Sequence, residues 1–250
     1  MRALIFAAGR GSRLRPHTDW VPKPLLPVGK YRLWDWQISG LKKAGITDLV
    51  VNTAYLADAF EPMPEAYAAR GITMKISREG DKETDALETR GGIAKALPLL
   101  TDGVTPFVAV AGDVVHDYPM ERLNAKAAEI EAGDYDAFMV AVPNPGFHVR
   151  GDMTVAADGT VRPGAGPHTY GCIMVVSPKI FVNVRPVAAK LFPWIWQKAR
   201  VRAEVCGNKC TVGEWPEVMR TLAHIGMYSS ATMTFGIGEN LTTPFHLFDE

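Results

Sequence analysis

Short apolar runs of strand length alternate along this chain with stretches in which apolar residues recur every three or four positions. The runs predict strands over residues 2–7, 48–52, 72–77, 107–112, 136–142 and 169–176. The helical periods predict helices near residues 33–44, 91–100, 119–132, 187–200 and 215–224, the first with Leu33, Trp34, Ile38 and Leu41 on one face. Pro62 and Pro64 break the helix expected around 55–70, and Pro193 kinks or restarts the one near 190. The turn Ala157-Asp158-Gly159, set between Asp152-Met153-Thr154-Val155 and Thr160-Val161, reads as a β-hairpin inserted into this order. Strands alternating with helices make an α/β domain around a largely parallel sheet.

At 250 residues the chain is long enough for one large domain with a full core. It has no internal repeat and no low-complexity linker, so a main domain over residues 1–224 and an appendage over 225–250 are expected. The last 26 residues contain no Lys or Arg and are rich in Thr, Ser and Gly. Basic and acidic residues balance at 27 each, which argues against a nucleic-acid partner. No apolar run approaches the roughly 20 residues of a membrane span. The six apolar residues after Arg2 fall short of a signal peptide's core, and three cysteines (Cys172, Cys206, Cys210) are too few for a disulfide framework. A soluble, cytoplasmic protein is the expectation.

The neutral total conceals a local excess. Residues 1–32 hold seven basic residues and one acid, and most of them flank Ala7-Ala8-Gly9-Arg10-Gly11-Ser12-Arg13, directly after the first strand. Glycines at 9 and 11 let backbone N–H groups approach an anion closely. A dinucleotide fingerprint would need a glycine where Leu14 stands and an acid near Val51-Asn52-Thr53, and it finds neither. A Walker loop fails as well, because no Gly-Lys-Ser/Thr follows. A tight turn with solvated arginines accounts for Gly-x-Gly alone. It does not account for Lys23, which Pro22 and Pro24 hold in a set direction.

The fourth strand runs into Gly112-Asp113, placing a carboxylate at its carboxyl end, where open α/β sheets bind ligands. Such an acid suits Mg²⁺, a hard cation that takes oxygen ligands and bridges to substrate phosphates. As a helix cap or turn residue Asp113 would need no ligand.

Taken together, residues 3–28 resemble the signature of sugar-1-phosphate nucleotidyltransferases, a Gly-x-Gly-Ser/Thr-Arg loop followed by Pro-Lys-Pro-Leu. The resemblance implies a Rossmann-like, GT-A-like three-layer sandwich with a mixed, mostly parallel central sheet. It also implies a nucleoside triphosphate held by Ala8, Gly9, Gly11, Ser12, Arg13 and Lys23, with Arg13, Lys23 and Asp113 as the catalytic set and Asp113 as a Mg²⁺ ligand. Asp117 matches a further acid of that motif. Leu87-Glu88-Thr89-Arg90-Gly91-Gly92 resembles the family's base-contacting segment, which adds Glu88, Gly91 and Gly92 to the nucleotide site; Arg90 departs from the usual small residue.

Asn144-Pro145-Gly146-Phe147-His148-Val149-Arg150-Gly151-Asp152 and the later Ala189-Lys190-Leu191-Phe192-Pro193 are similar to short uridylyltransferases of cell-wall recycling that use UTP and N-acetylmuramate 1-phosphate. That likeness makes Asn144, Gly151 and Asp152 sugar-side candidates. Mannose-1-phosphate guanylyltransferase, another sugar-1-phosphate nucleotidyltransferase and an impaired nucleotide-sugar-binding homologue are the alternatives. The last has a specific basis: Thr211 stands where relatives carry a second metal-binding Asp, and a hydroxyl is a weaker Mg²⁺ ligand than a carboxylate. Cys206 and Cys210 with His224 make only a sparse zinc pattern.

The implied reaction needs no nucleophilic side chain, because a sugar phosphate oxygen is already an anion. The protein's part is positioning and charge neutralisation.

Overall fold

The structure, a computed structural model, describes residues 1–206. The expected helix at 215–224, Thr211, Cys210, His224 and the proposed appendage at 225–250 lie outside the described residues. In chain order the elements are β1 (Ala3–Phe6), β2 (Pro27–Val28), β3 (Tyr31–Arg32), α1 (Asp35–Lys43), β4 (Asp48–Thr53), α2 (Met63–Ala68), β5 (Thr73–Arg78) and α3 (Glu88–Leu100). They continue with β6 (Phe107–Ala111), α4 (Arg122–Ala132), β7 (Ala137–Pro143), β8 (Met153–Val155), β9 (Val161–Pro163), β10 (His168–Val176), α5 (Trp194–Lys198) and β11 (Val201–Val205).

Nine strands form one sheet, ordered β11-β7-β10-β6-β1-β4-β5 with the hairpin β8–β9 joined beside β10. The pairs β6–β1, β1–β4, β4–β5 and β7–β11 are parallel, and β10 runs antiparallel to both β6 and β7. The sheet is therefore mixed and mostly parallel, as the resemblance implied.

Strand residues alternate between two cores with period two. Ile5, Leu49 with Val51, Val108 with Val110, and Phe138 with Val140 face one side, where α1, α2 and α4 supply Ile38, Leu41, Met63, Tyr67, Leu123 and Ile130. Leu4, Val50, Phe107, Met139 and Met174 face the other, against Ile93, Ala96 and Leu100 of α3 and Ile195 of α5. Burial on both faces explains why these strands read as continuous apolar runs rather than as alternation.

Two predicted helices differ from the structure. The prolines at 62 and 64 open α2 rather than break it, since a proline at a first helical turn forfeits no hydrogen bond. Over 187–200 only α5 is helical, capped by Pro193; the residues before it pair through backbone with the start of α3 instead. β11 went unpredicted, although Val201, Ala203 and Val205 alternate with Arg202 and Glu204 in a strand's period.

Candidate nucleotide site

All parallel strands of the sheet share one carboxyl edge, and the predicted phosphate loop, Asp113 and Asn144 leave from it after β1, β6 and β7. Strand β10, being antiparallel, begins there.

After β1 the backbone turns through Gly11, at φ 68°, which favours glycine. A side chain there would also collide, because a Cβ at Gly11 would lie 2.9 Å from the Lys23 Cβ. The Thr18 hydroxyl and the Leu14 N–H donate to the Gly11 carbonyl, at 3.0 and 2.9 Å. Gly9 has open space where a side chain would project.

The basic residues of this segment are not equivalent. Arg10 and Arg15 both bond the Asp19 carboxylate, at 2.6 and 3.0 Å, and Arg10 stacks over the Tyr55 ring at 4.5 Å. Arg13 is exposed and forms no ion pair among the described residues. Lys23 stands in a one-turn helix over Lys23–Leu25 between its prolines, closed by Leu25 N–H donating to the Pro22 carbonyl. Its ammonium donates to Asp113 Oδ2 at 2.6 Å, with both side chains largely screened from solvent.

Gly112 lets Asp113 reach this position. Its N–H donates to the Phe6 carbonyl at 3.0 Å, and a Cβ there would press on Ile5, Phe6 and Pro24. Beyond Asp113, the buried Gln37 amide donates to the Val114 carbonyl at 2.6 Å, and the Gln37 carbonyl bonds His116 Nε2 at 2.9 Å. The His116 Nδ1 accepts from the Tyr118 N–H. Burial lowers the His116 pKa, so this neutral tautomer is favoured. Asp117 is exposed.

The predicted base-side segment opens α3. Glu88 takes a φ of 56°, uncommon for a side chain with a Cβ. Arg90 N–H donates to the Ala189 carbonyl and Ala189 N–H to the Leu87 carbonyl, which draws the chain before α5 onto this helix start. A Cβ at Gly91 would fall 2.2 Å from the Val187 carbonyl oxygen, so only glycine admits that crossing. The Arg90 guanidinium lies over the Trp194 ring at 5.5 Å.

Sequence reasoning missed two residues here. Asn52, at the end of β4, accepts the Ala7 N–H at 2.9 Å and donates to Glu79 Oε1 at 2.7 Å. Glu79 Oε2 accepts the Leu87 N–H at 2.6 Å. Burial raises the Glu79 pKa, against these hydrogen bonds. A polar Asn directly after the apolar run Leu49-Val50-Val51 of β4 was the available signal.

The sugar-side candidates come together in a separate loop. The Asn144 amide donates to the Val149 and Gly166 carbonyls at 3.0 and 2.7 Å, and its oxygen accepts the Thr169 hydroxyl at 2.9 Å. Gly151, at φ 61°, packs so closely that a Cβ would lie 2.2 Å from the Gly166 carbonyl oxygen. Asp152 bonds His148 Nε2 at 3.0 Å and accepts the Tyr170 N–H at 2.9 Å. These polar groups are engaged in holding the loop. A hollow between α4, the hairpin and β11, lined by Lys126, Glu129, Asp158 and Arg202, contains none of the predicted site residues.

Among the described residues no three His, Cys, Asp or Glu side chains gather as a metal site. Asp113 nonetheless fits Mg²⁺, which keeps several waters and is commonly held by one or two carboxylates together with substrate phosphates. No helix of the described residues is long and apolar enough to cross a membrane.

The nucleotidyl transferase family model matches residues 2–161. An N-acetylmuramate alpha-1-phosphate uridylyltransferase of Neisseria meningitidis is 37% identical over 222 residues, covering 87% of this chain and 93% of that protein. The protein of the same name from Caulobacter vibrioides is 33% identical over 212 residues, covering 82% and 86%. In three dimensions the chain is similar to a Bacillus anthracis protein assigned as a glucose-1-phosphate thymidylyltransferase and crystallised with sucrose. That likeness has a TM-score of 0.69 at 18% identity, over 90% of this chain and 95% of that one.

Proposed function

Because the chain belongs to the nucleotidyl transferase family, we propose that it transfers the uridylyl group of UTP to N-acetylmuramate α-1-phosphate, making a nucleotide sugar and releasing pyrophosphate. The observation that carries the chemistry is the convergence of the Gly9–Gly11 turn, Lys23 and Asp113 at one edge of the sheet. The choice of substrates rests on relatives that match over nearly their whole length.

In this reading Lys23 and Arg13 neutralise the triphosphate, and backbone N–H groups from Ala8 to Ser12 cradle it. Glu88, Gly91 and Gly92 border the base, and Asn144, Gly151 and Asp152 shape the loop that receives the sugar. A phosphate oxygen of the sugar attacks the α-phosphorus in line, forming the new P–O bond as the bond to pyrophosphate breaks. Asp113 would hold Mg²⁺, which supplies charge neutralisation at the phosphates when bound. Lys23 gains most of its value as charge builds on the departing pyrophosphate, where a cation already held in place needs no reorganisation.

The test is pyrophosphate release measured across UTP, GTP, dTTP and CTP with a panel of sugar 1-phosphates. UTP with N-acetylmuramate α-1-phosphate is expected to give the highest kcat/KM. A preference for GTP with mannose 1-phosphate would reassign the substrates and leave the chemistry standing. Binding of UTP without pyrophosphate release under any pairing would make this a nucleotide-binding homologue.

A further inference from the structure

We propose that Asn52 and Glu79 are positioning residues, a relay that fixes the phosphate loop and the base-side segment relative to one another. The proposal rests on the nucleotide-site reading above. Three hydrogen bonds run in series from Ala7 N–H to Asn52 Oδ1, from Asn52 Nδ2 to Glu79 Oε1, and from Leu87 N–H to Glu79 Oε2, at 2.9, 2.7 and 2.6 Å. Ala7 leads directly into Ala8 and Gly9; Leu87 leads directly into Glu88 and α3. Two segments far apart in the chain are thus pinned by two side chains whose hydrogen bonds go to the protein itself.

The polarity of the relay is set by its ends. Both terminal groups are backbone N–H donors, so each end needs an acceptor. Asn52 must present its oxygen to Ala7 and its amide nitrogen to Glu79, and Glu79 must accept twice. A carboxylate does this and a carboxamide does not. The relay also dictates a neighbouring residue: a Cβ at Gly92 would stand 2.6 Å from Glu79 Oε1 and 2.9 Å from Asn52 Nδ2. Glycine at 92 is therefore where α3 closes over this pair.

Donor bookkeeping yields a decisive substitution pair. Glu79→Gln sets an amide against the Asn52 amide or the Leu87 N–H. Asn52→Asp sets two carboxylates face to face. Combined, the two changes reverse the central hydrogen bond. The carboxylate introduced by Asn52→Asp accepts from Ala7 and from the amide introduced by Glu79→Gln, and the oxygen of that amide accepts from Leu87. Charge and volume are nearly unchanged, so rescue reports on geometry.

The experiment measures kcat and KM for the triphosphate, and amide hydrogen exchange at Ala7 and Leu87, in wild type, both single variants and the double variant. Each single variant is expected to raise the KM for the triphosphate by about tenfold or more and to speed exchange at both amides. The double variant is expected to recover most of both effects. Single variants with wild-type KM and exchange, or a double variant no better than the worse single, would overturn the relay. A fall in melting temperature without a change in KM would reduce the pair to a structural role and overturn it equally. The exchange measurement judges the relay even if wild type releases no pyrophosphate, which would sink the functional reading alone.

Discussion

The Lys23 ammonium lies 2.6 Å from the Asp113 carboxylate, joining residues ninety positions apart into one charged centre between the phosphate loop and the sheet edge. Their surroundings differ: Lys23 is braced by Pro22, Pro24 and Gly11, and Asp113 by Gly112 against β1. Lys23→Ala and Asp113→Asn are each expected to slow pyrophosphate release by roughly 10²–10³-fold, the scale of losing one transition-state charge contact. Partial exposure of the pair keeps the stability cost small, so thermal unfolding should move little. Turnover near wild type in both variants would remove them from the reaction.

Gly11→Ala is expected to act through Lys23. The substitution carries about 1–2 kcal/mol for a left-handed backbone at a residue with a Cβ. It also pushes a methyl against the Lys23 stem, which a Cβ there would approach to 2.9 Å. Melting temperature should fall by a few degrees, further than in Gly9→Ala, where the added methyl meets no protein atom. Equal effects at the two glycines would refute the contact.

The turn that carries Asp113 should weaken in mild acid. Burial holds the folded His116 pKa below its unfolded value of roughly 6.5. The unfolded chain therefore binds more protons between those two values, and stability falls as pH drops through that window and levels off below the folded pKa. Denaturant midpoints taken from about pH 7.5 down to about pH 5 should show this slope, and His116→Gln should flatten it. An unchanged slope in that variant would assign the dependence to other groups.

Asn144→Ala leaves the Thr169 hydroxyl and the Val149 and Gly166 carbonyls without their partner. The expected cost is about 0.5–1.5 kcal/mol, the net scale of a hydrogen bond that water can partly replace. The KM for the sugar phosphate should rise while the KM for the triphosphate holds. A rise in both would show that the loop communicates with the nucleotide side.

The strands of the main sheet path other than β11 were legible in the sequence because burial on both faces leaves near-continuous apolar runs, as in Phe107–Ala111. The helices were less so. Residues 187–200 have a helical period, yet the backbone around Ala189 finds its partners on Leu87 and Arg90, a long-range choice that periodicity cannot register. The charge of the first 32 residues was legible as a total but not as a distribution. The i,i+4 spacing hints at Arg15 with Asp19, but nothing local announces that Asp19 also takes up Arg10 and leaves Arg13 uncommitted. Asn52 stood out as a polar residue beside an apolar run, but its partners, and Glu79 altogether, escaped notice because their meaning lies in two backbone donors that the fold brings to them. Gly91 and Gly92 belong to the same class, since what forbids a side chain at each is an atom from a distant segment.

The direction of β10 has a consequence for how the site is built. As the one strand of the main sheet path that runs against its neighbours, it starts at the edge where β7 ends, so the excursion from Asn144 to His168 departs and returns at the same rim. That excursion contributes no residue to the pairing of β1 with β6 or to the Lys23–Asp113 ion pair. Under the proposed roles, the loop that receives the sugar and the centre that meets the triphosphate are thus built from separate stretches of chain.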